Sequence, residues 1–307
     1  MTNLYPIKFH SIYKEMIWGS ESWDISCRPQ EMGIIANGPY TGQTFEDYIG
    51  LDREKILGTR LKDVARFPLL VKIIDARDAL SIQVHPCDAY AQQSGSADSG
   101  KSEMWYILQP PTDGHLIIGL KPGITREGLE AAYKNETVED CLNRLPVKSG
   151  DMINIPAGLV HAITPGVVLA EVQQNSDITY RLYDYNRQGP DGKARPLHVE
   201  QALDVADFEG KIPKTIVAGN QIKSPHFTVT KYELDKPMEE TTDAEAFCIF
   251  TCVKGVAKFQ SGKSGKSGES GEVLNAGDSV FLPAAMGRFV LSPCGGSAIL
   301  LKSSPGI

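Results

Sequence analysis

Four short strings carry side chains that could do chemistry together. The first is Ser81-Ile82-Gln83-Val84-His85-Pro86. In a strand, side chains alternate, so Ser81, Gln83 and His85 share one face while Ile82 and Val84 point into apolar packing. The second is Gly100-Lys101-Ser102-Glu103-Met104-Trp105-Tyr106. Lys101, Glu103 and Trp105 share a face, and Glu103 leads straight into an apolar strand, where an unpaired carboxylate is costly. A metal ion or another cation would remove that cost. The third runs from Gly150 to His161 as Gly-x5-Pro-x-Gly-x2-His. A strand ends at the Pro156-Ala157-Gly158 turn, and the reversal aims His161 back along the sheet.

Two imidazoles, one carboxylate and one amide oxygen make a mixed nitrogen and oxygen donor set, which suits Zn²⁺, Fe²⁺ or Mn²⁺. With Zn²⁺, neutral His85, His161 and Gln83 and one ionised Glu103 leave the site at net +1. That favours an anionic oxygen developing next to the metal. The third string also resembles the second of the two cupin motifs, except that Pro165 stands where an Asn often closes it.

The fourth string is Glu171-Val172-Gln173-Gln174-Asn175-Ser176-Asp177-Ile178-Thr179-Tyr180-Arg181. Asn175-Ser176-Asp177 is a turn signal. Beyond it, Thr179, Arg181 and Tyr183 share a strand face. An inward Arg181 needs a partner, and an ion pair with Asp184 or Asp177 is the plain alternative to a functional role.

The elements around these strings read mostly as strands. Residues 69–74, 79–84, 105–108, 116–120, 167–172 and 179–183 are short apolar or alternating runs with turns between them, the pattern of a β-barrel or sandwich. Residues 125–145 break it, with apolar residues at helical spacing behind Thr125 and Glu127, and read as one or two short helices. Residues 197–208 read as a helical linker. A second set of strands runs from 226 to 302. Within it, 261–271 (SGKSGKSGESG) is a low-complexity hairpin loop; it lacks the following helix that a phosphate-binding loop needs.

With 307 residues, the chain has room for about two domains. Its 29 Gly and 19 Pro favour many turns and short strands. A net charge of −7 with no basic face argues against nucleic acid as a partner. No apolar run of spanning length and no signal-peptide core are present, so we expect a cytoplasmic protein without a membrane partner. Six cysteines without a Cys-x-x-Cys pair are expected to be reduced thiols.

Taken together, the strings resemble the type I mannose-6-phosphate isomerases in their short bacterial form. Trp18-Gly19…Glu21-x-Trp23-x-Ile25-Ser26, Ser81–Pro86, Gly100–Tyr106, Ile155-Pro156-Ala157-Gly158-x-Val160-His161-Ala162-Ile163 and Glu171–Arg181 occur in the family's order across residues 18–187. The resemblance implies two cupin β-barrels, a mainly β, jelly-roll-like fold. Residues 1–196 would form a catalytic barrel with a small helical insertion near 122–146. Residues 197–225 would link it to a second barrel over 226–307. The resemblance places metal ligands on Gln83, His85, Glu103 and His161, an essential arginine on Arg181, an active-site lysine on Lys101, and carboxylates on Glu171 and Asp177. Arg187 stands where longer relatives carry a lysine.

The second barrel repeats the Gly-x5-Pro turn at Gly277–Pro283 but has Gly287 or Arg288 in place of His161. One Zn²⁺ per chain, in the first barrel, is therefore expected. The implied reaction interconverts mannose 6-phosphate and fructose 6-phosphate through a cis-enediol. Arg181 and the metal would stabilise the enediolate, Lys101 or Glu171 would shuttle the proton, and Ser81 and Asp177 would contact substrate. The chain would act as a monomer or homodimer. Two other readings are a non-catalytic sugar-phosphate-binding cupin and another cupin metalloenzyme. The presence of Lys101 and Arg181 disfavours the former. The separation of Glu103 from His85 disfavours the latter.

Overall fold

The structure, a computed structural model, describes residues 2–189, 192–209, 219–261 and 271–306. The chain divides into two compact units. One comprises Tyr13–Ser22 and Ile73–Val217, the other Met1–Ile12, Trp23–Lys72 and Ala218–Ile307. This grouping differs from a linear cut at residue 196: most of the first 72 residues belong with the C-terminal strands. The cause is visible in pairing. Ile7 exchanges backbone hydrogen bonds with Phe281, and Gly58 packs so closely on the Glu245 backbone that a Cβ there would lie 2.2 Å from its carbonyl oxygen.

The four strings lie on two sheets. The five-stranded sheet runs in the order Tyr180–Tyr183, Ile82–Val84, His161–Ala162, His115–Leu120, Leu142–Pro146. The other begins Met152–Ile155, Glu103–Gln109, Val168–Gln174, and continues through Leu69–Ala76, Gly19–Ile25 and Ile12–Met16.

Alternation sorts each strand into two environments. Leu116 and Ile118 join Trp105, Ile107, Ile153, Ile155 and Leu169 in the interior between the sheets. Ile82, Val84, Ile117 and Ala162 face outward into a second cluster, capped by Leu129, Val138, Ala202 and Leu203 from the helical segments. Burying each large side chain there contributes ~1.5–3 kcal/mol. Covering the outer face with helices thus frees the inner face of Ile82–Val84 to carry Gln83.

The insertion is only partly helical. Arg126–Lys134 is a helix whose N-cap Thr125 accepts from Gly128 N–H, as the sequence predicts. Val138–Cys141 is a single 3₁₀ turn, and Leu142–Pro146 is a strand paired with His115–Leu120. The helical reading of 142–145 fails because each leucine is buried on a different face of a strand: Leu142 joins the outer cluster and Leu145 packs against the inner one. The strand read over 79–84 is shorter, Ile82–Val84, and the helix read over 197–208 covers Val199–Val205. Much of the loop read over 261–271, and residues 210–218 of the linker, lie outside the described residues.

The C-terminal segment forms its own pair of sheets. One has five strands, Gln221–Lys223, Phe227–Leu234, Ala298–Pro305, Cys248–Lys254 and Ser279–Leu282. The other has four, Met238–Thr241, Arg288–Pro293, Val256–Ser261 and Glu272–Asn275. Phe250, Phe259 and Phe289 pack as a triangle of rings, with centroids 5.2, 5.9 and 6.1 Å apart, and help fill the interior. Arg288 is exposed and pairs with Glu239 at 2.8 Å. All six cysteines are free thiols.

Candidate metal centre and active site

The four strings converge because their backbones are bonded to one another. Lys101 N–H donates to Pro86 O, and Gly158 N–H donates to His85 O. Ala157 N–H donates to Ser102 Oγ at 3.3 Å. His161 lies directly opposite Gln83, and Arg181 opposite Gln83 on its other side. Gly158 makes the turn possible: its φ is +87°, and a Cβ there would lie 3.0 Å from Val205 O.

Three donors meet at the centre. His85, Glu103 and His161 are 1%, 1% and 0% exposed, and one ligand atom from each lies within 4.8 Å of the others. His85 Nδ1 lies 2.9 Å from Ile178 O, and His161 Nδ1 lies 2.8 Å from Leu159 O. Donation to these carbonyls places the proton on Nδ1 of each ring and leaves both Nε2 lone pairs facing Glu103, at 3.1 Å from Oε1 and 3.8 Å from Oε2.

Two lone pairs and a carboxylate aimed at one point require a cation. Neither Glu103 oxygen accepts a hydrogen bond of good geometry, although Lys101 Nζ stands 2.7 Å from Oε1 and 3.4 Å from His85 Nε2. Burial would raise the Glu103 carboxyl, but the Lys101 ammonium, and after it His85, hold it well below the usual carboxylate range. Burial pushes His85 down to about 3, with Lys101 adding to the shift, and burial likewise lowers His161. Both rings are therefore neutral, the form in which imidazole ligates a metal. This donor set fits a borderline divalent ion.

Gln83 completes the ring of polar groups. Its Nε2 lies 3.4 Å from His161 Nε2, and its Oε1 accepts from Ser81 Oγ at 3.4 Å. Trp105 packs edge-on against His161 at 5.4 Å, and its indole N–H donates to Glu171 Oε1 at 2.8 Å. Glu171 is thus buried beside the centre, bound to the ring that flanks a candidate ligand.

Arg181 is half-buried. Its Nε has no hydrogen-bond partner, and no carboxylate among the described residues lies within ion-pair distance. Burial, then the neighbouring Arg195, lowers its proton affinity. The ion pair with Asp184 or Asp177 does not form. Asp184 is gripped by Arg195, at 2.7 and 2.6 Å, and by Arg187, at 2.6 Å. Asp177 is exposed, and its N–H donates to Asp98. Reading by string named Asp184 only as a partner for Arg181 and missed its pairing with Arg195. The signal was an acid between two tyrosines, Tyr183-Asp184-Tyr185, followed by two arginines.

The comparisons with known proteins agree with this architecture. The sequence profile of the phosphomannose isomerase type I catalytic domain matches residues 8–120, and that of the mannose-6-phosphate isomerase cupin domain matches residues 219–302. The Bacillus subtilis mannose-6-phosphate isomerase ManA is 32% identical over 311 residues, covering 93% of this chain and 95% of that one. The chain belongs to the type I mannose-6-phosphate isomerases. The mannose-6-phosphate isomerase of Streptococcus mutans is 36% identical over 223 residues, 70% of this chain and 69% of its own. The crystal structure of a B. subtilis mannose 6-phosphate isomerase superposes with a TM-score of 0.83 at 29% identity, covering 97% of this chain and 99% of that one. Family membership fixes the cupin-type fold expected for both barrels. Among the described residues of this isomerase, no helix is long and apolar enough to cross a membrane.

Proposed function

We propose that the chain interconverts mannose 6-phosphate and fructose 6-phosphate at the His85–Glu103–His161 centre. The convergence of two neutral imidazoles on a buried carboxylate, in a member of this family, carries the reading. His85, Glu103 and His161 would hold one Zn²⁺, with Gln83 as fourth ligand. Rotating the Gln83 amide by half a turn exchanges its O and N, presenting Oε1 to the centre. When bound, the ion supplies Lewis-acid stabilisation of oxygen charge.

The chain's own groups would do the rest. Moving a proton between C1 and C2 needs a base beside the carbon, a cation for the enediolate, and a hold on the phosphate. Arg181 lacks a carboxylate partner and sits opposite Gln83, so its charge is available to the enediolate oxygens. Lys101 and Glu171 remain the two candidates for moving the proton. Lys101 reaches the centre directly, whereas Glu171 Oε1 accepts from the Trp105 indole. Ser81 is buried one face position from Gln83 and suits a substrate oxygen. Asp177 would contact substrate at the rim. A cytoplasmic monomer or homodimer fits this chemistry. Isomerisation assayed on both sugar phosphates tests the activity; no turnover with metal bound would leave a binding protein.

A further inference from the structure

Gln174 ends the strand Val168–Gln174 and is 7% exposed. Its side chain joins two segments: Oε1 accepts from Ser102 N–H at 2.9 Å, and Nε2 donates to Asp88 Oδ1 at 3.0 Å. Its backbone N–H donates back to Ser102 O at 3.1 Å. The same Asp88 oxygen accepts from Gly100 N–H at 2.8 Å. The residues immediately before and after Lys101 are therefore held through one amide, while Lys101 N–H itself is bound to Pro86 O. Gly100 packs too tightly for any side chain, since a Cβ would lie 2.5 Å from Asp88 N. Nearby, Ser176 Oγ donates to Ser99 O at 2.8 Å, fixing the same loop from the same turn.

We propose that Gln174 is a positioning residue that sets where the Lys101 ammonium lies relative to Glu103 and the substrate. A lysine stem has four rotatable bonds, so its tip is well placed only if its Cα is fixed. Misplacement by about 1 Å can cost ~10²-fold in rate. The buried Gln174 amide holds one flank of Lys101 directly, at Ser102, and the other through Asp88, at Gly100. The inference rests on the reading of Lys101 as an active-site group.

The test is a double-mutant cycle in the metal-loaded enzyme with Gln174→Ala and Lys101→Ala, reading kcat, KM, bound metal and Tm. The expected result for Gln174→Ala is a kcat lowered by ~10–10²-fold with KM and bound metal little changed. The double variant should be no slower than Lys101→Ala alone. Gln174→Glu should also be slow, because it sets a second carboxylate against Asp88. If Gln174→Ala does not fold, Gln174→Met, which keeps the volume and removes both side-chain bonds, decides the matter by the same readouts. Independent, multiplicative losses in the cycle, or a folded Gln174→Met protein with wild-type kcat, would overturn the positioning role. Normal kcat in Lys101→Ala would instead overturn the reading of Lys101, and with it the reason for holding it.

Discussion

His85 and His161 face each other with ring centres 4.9 Å apart, and each directs Nδ1 to a backbone carbonyl. The carbonyls come from Ile178 and Leu159, two different turns. The tautomer of each ring is thus set by the fold before any ligand arrives, and both Nε2 atoms converge on Glu103. Such carbonyl partners hold a ligand's orientation and basicity, and losing one typically costs 10–100-fold in metal affinity.

Glu103 answers Lys101 as well as the imidazoles. Glu103→Gln leaves the Lys101 ammonium buried without an anion, a change that costs ~3–5 kcal/mol. The variant should unfold at lower denaturant and hold no metal. Adding Lys101→Met should recover stability without recovering metal. Chemical denaturation together with metal analysis checks both halves; a stable, metal-loaded Glu103→Gln protein would refute the assignment.

Arg181→Ala should fold normally, because no described carboxylate depends on Arg181 for an ion pair. Its turnover should drop by ~10²–10³, the loss seen when one buried charge-stabilising donor is removed. Steady-state kinetics beside a thermal melt test this. Near-normal kcat would remove Arg181 from the chemistry.

The sequence disclosed the centre better than its surroundings. Strand alternation alone put Ser81, Gln83 and His85 on one face, and the Pro156–Gly158 turn signalled the reversal that delivers His161. Arg181 was visible as an inward arginine with an ion pair to Asp184 or Asp177 as the plain alternative. That pair does not form with Asp184 because Asp184 is taken by Arg187 and Arg195 from the following loop. Chain order does not reveal which of several cations a buried acid will choose. The same limit hid the joining of residues 23–72 to the C-terminal strands, which depends on bonds such as Phe247 N–H to Leu57 O. Gln174, just before the turn signal, carried no role in the sequence, since its two bonds reach residues 72 and 86 positions away.

Asp184 supplies a pH prediction. Burial would raise its carboxyl, but Arg195 and Arg187 override burial and hold it below the usual aspartate value. The unfolded chain therefore binds a proton more readily in that window. The stabilisation is full above about pH 4 and is lost as pH falls through the folded value. Asp184→Asn should destabilise the protein by ~2 kcal/mol at neutral pH, below the cost at a fully enclosed pair. It should also flatten the decline in stability below about pH 4. Urea melts across pH measure this; an unchanged acid limb would contradict it.

Gly158→Ala forces a Cβ onto a backbone at φ +87° and to 3.0 Å from Val205 O. The conformational cost alone is ~1–2 kcal/mol, and the turn that aims His161 must shift. A lowered Tm with weakened metal binding is expected. Equal loss of Tm with wild-type metal affinity would show that the turn does not set the position of His161.

The most direct test follows isomerisation of mannose 6-phosphate before chelation, after chelation, and after adding metals back singly, with bound metal measured at each stage. The account predicts activity that vanishes with the chelator and returns with Zn²⁺ at one ion per chain, and a His161→Gln protein that neither retains nor regains the ion. Full activity in protein shown to hold no metal would contradict it.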